Sequence, residues 1–136
     1  MGTWAHEPLA NDTALDWAID LKAVDDLSLV EDTLADALAE EDGVVDATLG
    51  EEVLAACEVI ARLRGRWGRR DAYSRDIDAW VEKHPQPVPA GLLKRAAKAI
   101  DVVLGDDSEL RELWYEGTGG DDWAAAVGDL RRRVVG

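Results

Sequence analysis

One cysteine, Cys57, occurs in the 136 residues, so no intramolecular disulfide can form. That sparing use of cysteine suits a reducing compartment and gives the cytoplasm as the expected location. Long apolar runs are missing too: the longest, Val53 to Cys57, falls far short of the roughly 20 residues that cross a bilayer. No basic, apolar, cleavable leader is expected either, because Met1-Gly2-Thr3-Trp4 leads straight into polar residues. Cations are nearly absent from one half of the chain. Residues 1–58 hold sixteen Asp and Glu against Lys22 alone, whereas residues 59–136 hold thirteen acids and fourteen Lys and Arg. The formal net charge of -14 therefore belongs to the first half. Such a half repels nucleic acid and anionic membranes and favours a basic protein surface. A solvated face that serves solubility, or adaptation to a salty host, explains the same excess.

The signatures of familiar chemistry are also missing. No glycine-rich phosphate loop, Cys or His metal spacing, nucleophile elbow or HExxH helix is present. No catalytic residue, cofactor or metal ligand is therefore assigned. Strand signals and internal repeats are absent as well.

What the sequence does contain is helix patterning. From Glu51 to Arg64 the chain is apolar nearly all round, interrupted by Glu58 and Arg62 four apart, which read as its exposed strip. A rod of this kind must be covered by other helices. The remaining segments each supply one apolar stripe. Asn11, Asp12 and Thr13 offer N-caps for a first helix to about Lys22, with Ala14, Trp17, Ala18 and Leu21 on its buried face. Ser28 with Glu31, and Thr48 with Glu51, form capping-box patterns for the second and central helices, the second ending near Gly43. A short helix from Ile77 to Lys83, capped by Ser74 or Asp76, precedes the stiff connector Pro85-Gln86-Pro87-Val88-Pro89. A long helix from Ala90 to Leu104 has Leu93, Ala96, Ala97, Ile100 and Leu104 on one face and is stopped by Gly105. Ser108 caps a two-turn helix, and Asp121 or Asp122 caps a last helix to about Val134. The expected fold is all-α: a single domain over 1–136, an orthogonal bundle of six to seven helices around a central buried helix, with residues 1–11 as an extended arm packed on it.

Gly2-Thr3-Trp4, Pro8, Asn11-Asp12-Thr13-Ala14 and Asp16-Trp17 resemble the N-terminal signature of the uncharacterised bacterial family Domain of Unknown Function 4259. Asp107 to Trp114, followed by Trp123, is similar to the C-terminal end of that family, so the resemblance spans nearly the whole chain. The chain departs from the family pattern at Ala5, Glu7 and Leu9, where glycines and a Phe are usual. The resemblance implies a fold and carries over no reaction, cofactor or catalytic residue.

Three functional readings follow from the residues. In the first, Asp12, Asp16, Asp20, Asp32 and Asp36 form an acidic face that engages a basic partner, as an immunity-type inhibitor or a nucleic-acid mimic would. In the second, His6, Asp12 and Asp16 centre a metal-dependent or hydrolytic enzyme. The third uses the arginine island from Arg62 to Arg75, six arginines and one acid, with Arg66, Trp67, Arg69 and Arg70 as a second surface for a ligand or nucleic acid. A local account of that island is helix-dipole complementation plus counter-charges from the acidic half. Cys57 lies away from the Glu58–Arg62 strip and reads as a buried, inert thiol.

Overall fold

A computed structural model describes residues 7–39 and 44–136. Among them the chain forms seven helices: α1 (Asp12–Leu21), α2 (Ser28–Leu38), α3 (Ala47–Leu63), α4 (Arg75–Lys83), α5 (Ala90–Leu104), α6 (Glu109–Glu116) and α7 (Gly120–Val135). The only strand-like pairing among the described residues is an isolated bridge between Val45 and Ser108. The architecture is an all-α bundle.

Helix α3 is the axis. Every residue from Val53 to Arg62 is buried, and α3 touches each of the other six helices. At 1.5 Å per residue its seventeen residues span roughly 25 Å, long enough for several helices to share its length. Burying a side chain such as Leu54 or Ile60 stabilises the fold by about 1.5–3 kcal/mol each, and both are buried here. The central-rod expectation holds, but its charged pair does not face out. Glu58 is 3% exposed and Arg62 2% exposed, so the predicted exposed strip is instead the most deeply buried charge among the described residues.

The caps differ from the simplest sequence reading at several points. Asn11, one of three candidate caps, accepts from the Ala14 amide at 2.8 Å and starts α1. Helix α2 begins at Ser28 with no side-chain cap bond, and the Asp26 carboxylate takes the Ser28 amide at 3.0 Å. The Thr48–Glu51 box is replaced by Asp46, which accepts from the Leu49 amide at 2.7 Å. Glu51 is thereby released to accept from Thr13 of α1. Helix α7 starts from Gly119 rather than from Asp121 or Asp122. Ser108 does cap α6, accepting from the Arg111 amide at 3.2 Å. Helix α2 ends at Leu38, and the expected stop at Gly43 lies outside the described residues.

The stripe of α1 buries as its spacing predicts; in α2 the expected Leu27, Val30, Leu34 and Ala37 are buried and Leu38 half-buried, and in α7 the expected Trp123, Val127, Leu130 and Val134 are buried and Ala126 half-buried. Helix α5 has the predicted bounds but a rotated face: Leu92, Ala96, Ala99, Ile100 and Val103 are buried, while Leu93, Ala97 and Leu104 are half-buried. Because α5 is wedged against α2, α3 and α7 together, three neighbours choose between two stripes that are both apolar. Before α1, Pro8 and Leu9 are buried and the Ala10 amide turns back to the Glu7 carbonyl at 3.0 Å; residues 1–6 of the expected arm lie outside the described residues.

Candidate functional site

Helices α1 and α2 lie on α3 and are tied to each other where the buried Trp17 Nε1 donates to Thr33 Oγ1 at 3.0 Å. With their apolar stripes fixed inward, the remaining faces must point to water. Asp12, Asp16 and Asp20 on α1 and Asp32 and Asp36 on α2 are all exposed. None of the five joins an ion pair among the described residues, and Lys22 is committed elsewhere, to Asp76 of α4 at 3.1 Å. Ile19 lies on the same helix, 59% exposed, between Asp16 and Asp20 along the chain.

The two acidic rows meet at the start of α3. Burial raises the Glu52 carboxyl above the usual carboxylate range, and the nearby Asp46, Asp20 and Asp36 raise it further. One half-buried side chain thus senses acids from α1, from α2 and from the cap of α3. Glu51 is raised by the same causes, burial first and then Asp12, against a lowering hydrogen bond from Thr13. Negative potential accumulates at this end of the bundle with no cation inside it.

The arginine island has a different character. Arg62 is enclosed: its Nε donates to Asp78 Oδ1 at 2.7 Å, its Nη2 to the Arg69 carbonyl at 2.8 Å, and its Nη1 to Glu58. Arg64 donates to the Val134 carbonyl. Arg69 pairs with Asp71 at 3.1 Å, and Arg70 reaches Asp78 at 3.5 Å and Glu82 at 3.4 Å. Trp67 is half-buried, with the Arg70 guanidinium 4.3 Å from its ring centroid and that of Arg62 at 5.8 Å. Arg64, Arg66 and Arg75 are the members with no ion pair among the described residues.

Sequence reading missed the buried network to which this island belongs. Arg133 of α7 grips Glu58 in two-point fashion, Nη1 to Oε1 at 2.9 Å and Nη2 to Oε2 at 3.1 Å, and also donates from Nε to Asp129 Oδ2 at 3.0 Å. Asp78 completes the other side by accepting from Ser74 Oγ at 2.7 Å. Two carboxylates and two guanidinia therefore neutralise each other inside the protein and join α3, α4, α7 and the loop after α3. Gly68 leaves room for this: a Cβ there would lie 2.7 Å from Arg133 Nη1. The available sequence signals were the spacing of Glu58 and Arg62 and the acid at position 78 in the α4 stripe.

Cys57 is buried, and its thiol is pushed up well beyond the ordinary range, first by burial and then by the neighbouring Glu58 charge. It is not a nucleophile in this setting. His6 lies outside the described residues, while Asp12 and Asp16 stand on the open face of α1. Among the described residues no three His, Cys, Asp or Glu side chains are grouped to hold a metal ion. Nor is any described helix long and apolar enough to cross a membrane.

The family described as a domain of unknown function, DUF4259, matches residues 2–126. The chain belongs to this family. No curated protein and no solved structure matches it. The match takes in the whole acidic face and the Glu58–Arg62–Asp78 part of the network, and stops short of Arg133.

Proposed function

We propose that this DUF4259 member is a protein-binding module whose α1–α2 face engages a basic protein surface, in the manner of an immunity-type inhibitor or a nucleic-acid mimic. The observation that supports this reading is the set of five exposed aspartates with no counter-ion among the described residues, two of which, Asp20 and Asp36, act together on Glu52. Carboxylates on a rigid two-helix platform occupy positions that phosphates otherwise fill, and they steer a cationic partner before contact. Exposed Ile19 beside them offers an apolar anchor, and a desolvated apolar centre with a charged rim is the usual anatomy of a protein interface. The reading places the protein in the cytoplasm, where one buried, unpaired cysteine is unremarkable.

The arginine island is the weaker candidate because four of its six guanidinia, those of Arg62, Arg64, Arg69 and Arg70, are already spent on partners within the chain. The enzyme reading draws no support from the open placement of Asp12 and Asp16.

The deciding experiment replaces Asp12, Asp16, Asp20, Asp32 and Asp36 with Asn together. The native protein is expected to capture a basic protein from its host, with affinity falling steeply between low and physiological salt, and the neutralised protein to lose it. Capture of the same partners by both proteins would overturn the proposal.

A further inference from the structure

The Glu58–Arg62 end of the ion network is walled by elements of two kinds. Helix α4, the loop after α3 and helix α7 each reach it through hydrogen bonds, from Asp78 and Ser74, from the Arg69 carbonyl and from Arg133. The fourth wall, the turn Glu7–Ala10, does not. Pro8 and Leu9 are buried beside Glu58, Arg62 and Arg69, yet no hydrogen bond or ion pair runs from this turn to any network residue among the described residues. Its polar contacts are the Ala10 amide to the Glu7 carbonyl, within the turn, and Asn11 Nδ2 to the Pro8 carbonyl at 3.2 Å. Proline has no amide hydrogen to add. Between turn and network remains a crevice of about 10 Å³, room for roughly one water.

We propose that Glu7–Ala10 is a strap that lifts about Asn11 and opens the Glu58–Arg62 end of the network to solvent while the seven helices stay folded. The wall that meets the network by apolar contact alone among the described residues is the one that opens at least cost, since the other three must break charge-assisted bonds to move. Asn11 is the natural pivot because its two side-chain ends do separate jobs: Oδ1 caps α1 at the Ala14 amide, and Nδ2 holds the Pro8 carbonyl. In the closed state Glu58 and Arg62 are paired and 3% and 2% exposed, with room beside them for roughly one water. In the open state the Glu58 carboxylate and the Arg62 guanidinium face water, and the protein presents a second polar surface distinct from the aspartate face. This inference stands apart from the acidic-face reading.

Hydrogen exchange of the Arg62 Nε–H, followed by NMR of the whole protein, tests it against the Val59 amide in the middle of α3. If the strap lifts locally, the Arg62 group is protected at least about tenfold less than Val59, which reports opening of the bundle itself. Asn11→Asp keeps an oxygen for the Ala14 amide but removes the donor to Pro8, and Leu9→Ala removes the apolar contact. Each variant is expected to lower Arg62 protection by a further factor of about three, with Val59 falling by a comparable factor so that the gap between the two sites persists. Equal protection at the two sites in the native protein overturns the strap, and so does low Arg62 protection that neither variant changes. Should a variant fail to fold, the native comparison and the other variant still decide.

Discussion

Arg62 Nε donates to Asp78 Oδ1 over 2.7 Å with both side chains almost wholly enclosed. The pair joins the central helix to α4, and through Glu58 and Arg133 to α7. Charges withdrawn from water cost several kcal/mol per ion unless every donor and acceptor is met, and no buried side-chain nitrogen or oxygen among the described residues lacks a partner. A satisfied network contributes little net stability compared with an apolar core, but a broken one is expensive.

Asp78→Ala is therefore expected to cost about 3–5 kcal/mol, because it removes one partner of a buried ion pair and leaves the Arg62 Nε–H without its acceptor. Asp76→Ala, two residues away, removes a half-exposed partner of Lys22 and should cost less than about 1 kcal/mol. Urea denaturation of the two variants measures the contrast. Similar losses would show that burial of the pair is not what matters.

Gly68 and Arg133 should behave as one unit. Gly68→Ala forces a methyl group to within 2.7 Å of a guanidinium that Glu58 and Asp129 already pin, so a loss of about 1–3 kcal/mol is expected from overpacking. With Arg133→Ala in place, the same Gly68→Ala change should cost almost nothing. A double-mutant cycle in denaturant reads the coupling, and additive losses would refute it.

The acidic end carries a pH signature whose sign is fixed. The Glu52 carboxyl is raised by burial and by Asp46, Asp20 and Asp36, so the folded protein holds this proton more tightly than the unfolded chain. Its contribution is fully present below the unfolded value and is lost as pH rises through the raised folded value. Glu52→Gln should accordingly be more stable than the native protein at neutral pH and show a flatter rise on acidification. Thermal melts from pH 7 downward compare the two. A native curve that falls on mild acidification in parallel with that of Glu52→Gln would contradict this assignment.

Thr33→Val tests the tie between α1 and α2. The substitution keeps shape and leaves the buried Trp17 indole N–H without its 3.0 Å acceptor, an expected cost of about 1–3 kcal/mol. The Trp17 fluorescence environment and the melting temperature both report it. A neutral result would mean that packing alone aligns the two acidic rows.

Helix number, the bounds of α5, the buried stripes of α1 and α2 and the central role of α3 were readable from periodicity, because a run such as Val53 to Ala61 has no stable place except under other helices. The exposure of Asp12, Asp16, Asp20, Asp32 and Asp36 followed from the same stripes by elimination. The fate of Glu58 and Arg62 did not follow. Four-residue spacing places two charges on one helix face, but whether that face meets water or Asp78, Arg133 and the Arg69 carbonyl depends on chain segments as many as 75 residues away. The start of α3 shifted for a local reason, since Asp46 caps the Leu49 amide from three residues away, whereas the bond between Glu51 and Thr13 needs α1 beside α3. Local sequence determined which residues seek burial and which seek solvent. Only tertiary structure could decide which charges find one another, because pairing energy depends on distance and on the loss of water, and neither quantity is written along the chain.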